Sequence, residues 1–142
     1  LKYLVKKGYK LGKHLNILDK QELYVLKPRR GESEGHFFLT YDVANYLRKF
    51  TDKVELFETT KPDIIFEINN TKYAVEVETG KVYTKDKKKL QAKVDTLNKE
   101  YGKNWFFVVT DRNFFPSYKN FGETYTKLSV AKKILQVCKN DN

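Results

Sequence analysis

The segment that decides the fold is Lys61–Lys81, KPDIIFEINNTKYAVEVETGK. Two runs rich in Ile, Val, Phe and Tyr flank Asn69-Asn70, a pair that tolerates the positive φ of a two-residue turn, so the spacing predicts a β-hairpin. The turn sets the register. With Ile68 opposite Thr71, Ile64 faces Val75 and Phe66 faces Tyr73, while Asp63 faces Glu76, Lys61 faces Glu78 and Glu67 faces Lys72. One side of the hairpin is then apolar. The other places Asp63 and Glu76 directly opposite one another, with Cβ atoms about 5 Å apart and Glu78 next along the same side. Like charges so placed destabilise a sheet, and in a lysine-rich chain they point to a cation held between them.

Outward from the hairpin, the other elements follow from periodicity. From Glu34 the chain turns helical, with Leu39, Val43, Tyr46, Leu47 and Phe50 on one side. Lys53–Phe57 is a short strand. Thr84 is suited to cap a helix of about four turns whose inward stripe is Tyr83, Leu90, Val94, Leu97 and Tyr101, ending at Gly102. The outer face of that helix is basic, with Lys85, Lys87, Lys88, Lys89 and Lys93 placed to meet phosphates. NWFFVVT, residues 104–110, reads as a strand covered on both sides. The tail is an aromatic loop over Arg112–Phe121, whose rings are expected to close the core, and a last helix with the stripe Leu128, Ala131, Ile134, Leu135 and Cys138.

The 142 residues suit one domain, and the formal charge of +10 suits a polyanionic partner. Residues 1–30 hold nine Lys or Arg, among them Arg29 and Arg30, against Asp19 and Glu22. They form a basic N-terminal segment with two strand-like pieces, which reads as the remnant of a winged helix, a basic arm or an extra hairpin on the core. Residues 31–142 form the main domain. A single cysteine excludes an internal disulfide and a multi-cysteine zinc site. No apolar run is long enough to cross a bilayer and no secretory signal is visible, so a cytoplasmic protein without membrane contact is expected, in the host cytoplasm if the source is viral. A chain that begins with Leu and lacks Met is expected to be a piece of a longer protein.

Pro62-Asp63 opening one strand, with Glu76 and then an acid-x-charged element on its partner, resembles the PD-(D/E)xK nuclease superfamily in a Glu-x-Glu form. Glu78 stands where that family has lysine, and Lys81 is the nearest lysine along the strand end. His36-x-x-Leu39 and Asp42-Val43 are similar to the helix before the hairpin in replication-relaxation proteins of mobile elements. The resemblance implies an α/β fold with a mixed sheet in the restriction-endonuclease-like αβββαβ order. It also implies Mg²⁺, or Mn²⁺ in its place, on Asp63, Glu76 and Glu78, with the Val77 carbonyl as a further ligand. Lys81 would polarise water or hold phosphate. Glu34, on the first helix, and Gln91, on the basic helix, are second-tier site residues by the same resemblance. The expected activity is hydrolysis of phosphodiester bonds in double-stranded or branched DNA, by a homodimer if both strands are cut. The other class kept open is a non-catalytic DNA-binding module of a replication or regulatory protein from a mobile element.

Overall fold

The computed structural model describes residues 10–18, 21–26, 33–57 and 61–140. A two-stranded antiparallel sheet joins β1 (Lys10–Leu15) to β2 (Gln21–Leu26). After it come helix α1 (Glu34–Leu47), β3 (Val54–Leu56), β4 (Ile64–Ile68) and β5 (Thr71–Glu78). The short α2 (Lys81–Lys85) precedes α3 (Lys87–Tyr101) and β6 (Trp105–Val109). A 3₁₀ turn (Arg112–Phe114), α4 (Phe115–Lys119), β7 (Thr124–Tyr125) and α5 (Val130–Asn140) complete the chain. The class is mixed α/β, as the sequence led us to expect.

Strands β3 to β7 form one sheet in that order, antiparallel from β3 to β5 and parallel from β5 to β7. The hairpin register is the expected one, with Ile64 on Val75, Phe66 on Tyr73 and Ile68 on Thr71. Asn69 and Asn70 both take positive φ, 50° and 66°, the backbone of a two-residue turn whose twist matches its strands. The step from β5 to its parallel neighbour β6 requires a crossover, which α2 and α3 supply.

The sheet is covered on two sides. Leu39, Val43 and Leu47 of α1, with Val130, Ile134 and Cys138 of α5, pack on Ile64, Phe66, Val75, Val77, Phe106 and Val108. Leu90, Val94 and Leu97 of α3 pack on the other side against Ala74, Trp105, Phe107 and Val109. Burying this much aliphatic and aromatic surface is the main stabilising term, about 25 cal/mol for each Å² of apolar area removed from water. Ile17, just after β1, is buried in the first of these cores, and its N–H donates to Asp42 Oδ2 of α1 at 2.7 Å. The N-terminal hairpin is thereby tied to the main domain.

Three expectations are corrected and one element is added. Thr84 does not cap the long helix; its hydroxyl donates back to the Gly80 carbonyl at 2.9 Å, and Asp86 takes over as cap by accepting from Lys89 N at 3.0 Å. The helix is consequently broken at Asp86. Arg112–Phe121 is largely helical rather than a loop, since Pro116 sits in the first turn of α4, where no N–H is missed. Leu128 lies outside α5 and is 72% exposed, because the buried stripe begins at Val130. Strand β7, two residues long, was not foreseen.

Candidate functional site

The two facing acids meet where the hairpin strands leave the turn behind. Asp63 lies one residue before β4, and its main-chain N–H donates to Glu76 Oε1 at 3.0 Å. In return Asp63 Oδ2 accepts from the Val77 N–H at 2.8 Å. Each acid thus grips the other's strand, which locks the pair in register. His36, in the first turn of α1, brings its Nε2 to 3.3 Å from Asp63 Oδ2.

The third acid follows from alternation along β5. Glu76 and Glu78 share a side of the strand, two residues apart, and both are buried. A lysine reaches between them. Lys93 Nζ of α3 lies 3.0 Å from Glu76 Oε2 and 2.9 Å from Glu78 Oε1. The remaining oxygen of Glu78, Oε2, accepts from the Tyr118 hydroxyl of α4 at 3.2 Å. From His36 through Asp63, Glu76, Lys93 and Glu78 to Tyr118, polar groups form one continuous line across the face of the sheet.

Burial raises the Glu76 carboxyl to about 7, and the nearby Asp63 adds to the rise, against the pull of Lys93. Burial alone would lower the Lys93 ammonium, but Glu76 and Glu78 together, with hydrogen bonds to both, hold it above the usual range. Lys93 therefore stays charged, and Glu76 is the member of the pair that takes up a proton. Burial, then Glu78, also pushes the Tyr118 hydroxyl up, so it remains a donor.

His36, Asp63, Glu76, Glu78 and Lys93 line a cavity of about 1000 Å³ between the hairpin and α3. Its wall also carries Lys61, Lys72, Lys81, Lys85 and Lys89, so a strongly cationic rim surrounds a buried acidic centre. A cleft lined by one sign of charge raises the local concentration of ions of the opposite sign. Oxygen donors of this kind suit a hard divalent ion, and Asp63 with Glu76 is the pair that fits one. Among the described residues no set of three or more His, Cys, Asp or Glu side chains converges as a metal-binding group.

The residues singled out from the sequence separate clearly. Asp63, Glu76 and Glu78 come together, and Lys81, Lys85 and Lys89 line the same cavity. Lys87 and Lys88 are exposed outside it, with Lys87 Nζ 4.6 Å from the centre of the Tyr83 ring. Lys61 lies over the Phe57 ring at 4.9 Å, while Glu78, its expected partner, is held by Lys93 and Tyr118. Lys93 is corrected from an outer-face residue to the one lysine of α3 that reaches both Glu76 and Glu78. Gln91 does not join the site; it is exposed and donates to Asp95 Oδ1 at 2.9 Å. Glu34 stands in the first turn of α1 and does not line the cavity, whereas His36 does. Arg29 and Arg30 lie outside the described residues.

Sequence reasoning missed His36 as a partner of Asp63 and, while it placed Tyr118 among the rings that close the core, missed its hydrogen bond to Glu78. For Lys93 a signal existed. It falls three residues after Leu90 and four before Leu97, beside the buried stripe rather than opposite it. No family model, no curated protein and no solved structure matches the chain. No helix among the described residues is long and apolar enough to cross a membrane.

Proposed function

We propose that the chain is a divalent-metal-dependent DNA nuclease with a restriction-endonuclease-like core. The observation that carries this reading is the Asp63–Glu76 pair, clasped across the hairpin inside a cavity rimmed by lysines. The element order α1, β3, β4, β5, crossover helix, β6 supports the αβββαβ core. Asp63 and Glu76 would hold Mg²⁺, or Mn²⁺ in its place. When bound, such an ion makes water a nucleophile at neutral pH and offsets charge on the phosphate.

The chain's own side chains divide the remaining work. Lys93 sets a fixed positive charge beside Glu76, where charge developing on a phosphate is stabilised without reorganisation. Lys81, Lys85 and Lys89 hold the DNA backbone at the cavity mouth and position it without reading its sequence. His36 braces Asp63 from the start of α1.

A second reading, a DNA-binding module without catalysis, is favoured by one observation. Lys93 already neutralises Glu76 and Glu78, so the acids have an internal counter-charge. Incubation with linear, supercoiled and branched DNA separates the two, with Mg²⁺ or Mn²⁺, then with chelator, alongside Glu76→Ala. Cutting that needs both the metal and Glu76 is the expected result. Salt-sensitive binding without cutting favours the module, and no binding at low salt removes both.

A further inference from the structure

Glu78 is engaged at both oxygens, and both donors come from outside its own strand. Lys93 Nζ approaches Oε1 at 2.9 Å and Tyr118 OH approaches Oε2 at 3.2 Å. Glu76 and Glu78 stand about 7 Å apart along β5, and the Lys93 ammonium spans that gap. A lysine on a four-carbon stem is mobile by default and is held in one place only by opposed partners. Here the partners are Glu76 on one side and Glu78 on the other.

Tyr118 is built to keep Glu78 still. It is fully buried, and its ring packs edge-on against Phe107 at 5.2 Å and at a tilt against Tyr83 at 5.9 Å. A hydroxyl fixed by that much aromatic packing presents its proton to one oxygen and leaves the other for Lys93. A metal ion on Glu78 would have to compete with the Lys93 ammonium at one oxygen and the Tyr118 hydroxyl at the other, whereas Glu76, which meets the same ammonium at 3.0 Å, turns its other oxygen to Asp63, whose carboxylate is a second anionic ligand that Glu78 lacks.

We infer that Glu78 and Tyr118 form a seat for Lys93 and not a metal position. Helix α3 thereby returns to the site the cation that the Glu-x-Glu strand gave up, and Tyr118 is a positioning residue acting through Lys93. This rests on the nuclease reading for what Lys93 does, but not for what binds metal.

The test uses the full chain with two readouts, calorimetric Mn²⁺ uptake and the rate of DNA cleavage. Glu78→Gln and Tyr118→Phe are expected to keep Mn²⁺ affinity within about twofold of wild type, whereas Glu76→Gln lowers it more than about tenfold. Tyr118→Phe keeps the ring and its packing, so the fold is retained. Its cleavage is expected to fall about tenfold in kcat with KM unchanged, and that fall is expected to vanish in a Lys93→Gln background, since neighbours acting through one group are not additive. Returning the cation to the strand, Glu78→Lys with Lys93→Gln, is expected to recover at least about tenfold over Lys93→Gln alone.

Loss of Mn²⁺ affinity in Glu78→Gln equal to that in Glu76→Gln overturns the inference. So does a Tyr118→Phe defect that persists undiminished without Lys93. A wild-type chain that takes up no Mn²⁺ overturns the metal reading itself, and uptake without cleavage overturns Lys93's part while the uptake series still decides Glu78.

Discussion

Strand β5 presents two chemistries, one on each side. Tyr73, Val75 and Val77 turn into the apolar core under α1 and α5, where Phe66 stacks on Tyr73 at 5.1 Å. Ala74, Glu76 and Glu78 turn toward α3, where apolar packing gives way to a line of charges. Both sides exclude water from the strand, since Val75 is 0% and Glu76 6% exposed. Burial is therefore not what separates them. One side is closed by shape and the other by charge balance, and only the second has anything to offer a cation or a phosphate.

Putting charge on the wrong side should have the largest effect. Val75→Glu introduces an unpaired carboxylate among aliphatic side chains and is expected to cost about 3–5 kcal/mol or more, read as loss of the cooperative melting transition. Retention of a normal melting curve would show that the apolar side tolerates charge, and the contrast would fail. The reciprocal change removes charge from the correct side. Glu76→Gln is expected to leave the fold intact and lower cleavage on the order of a thousandfold.

The pH response sharpens the same contrast. Glu76 has its carboxyl raised to about 7 in the folded chain, mainly by burial, against an ordinary value of 4.5. The folded state therefore binds more protons than the unfolded state between those values, and stability falls as pH rises through that window. Melting temperature should drop from pH 5 to pH 8, and Glu76→Gln should flatten the drop. A wild-type curve that rises over this range would mean that Lys93 outweighs burial at Glu76.

Smaller effects belong to the rim. Lys85→Ala with Lys89→Ala is expected to weaken DNA binding for all sequences alike and to reduce the slope of log affinity against log salt by about one for each phosphate no longer neutralised. Gln91→Ala, outside the cavity, should change binding and cleavage by less than twofold, within about ±0.5 kcal/mol for an exposed site.

The hairpin was legible because its turn left no choice: two Asn residues that accept positive φ fix which residue faces which. The same logic made the acid pair legible before any coordinate. Other features needed three dimensions. Lys93 stands beside the buried stripe of α3, a hint that it turns inward, but which carboxylates it meets depends on how α3 lies across β5. Tyr118 comes to Glu78 across 40 residues, a distance no local pattern encodes. At Thr84 a local rule misled, because a hydroxyl that serves well as a helix cap can also bond back to the carbonyl four residues earlier.

Gly80, between β5 and α2, takes φ of 93°, and a Cβ there would meet the Phe114 ring at 2.4 Å. The strand that bears the acids is therefore finished by a segment made more than thirty residues later. Until the Phe114–Tyr118 stretch docks, Glu78 lacks one of its donors and the bend at Gly80 lacks its lid. The contacts that close off Glu78 are thus long-range ones, made by a part of the chain that follows β6 in sequence.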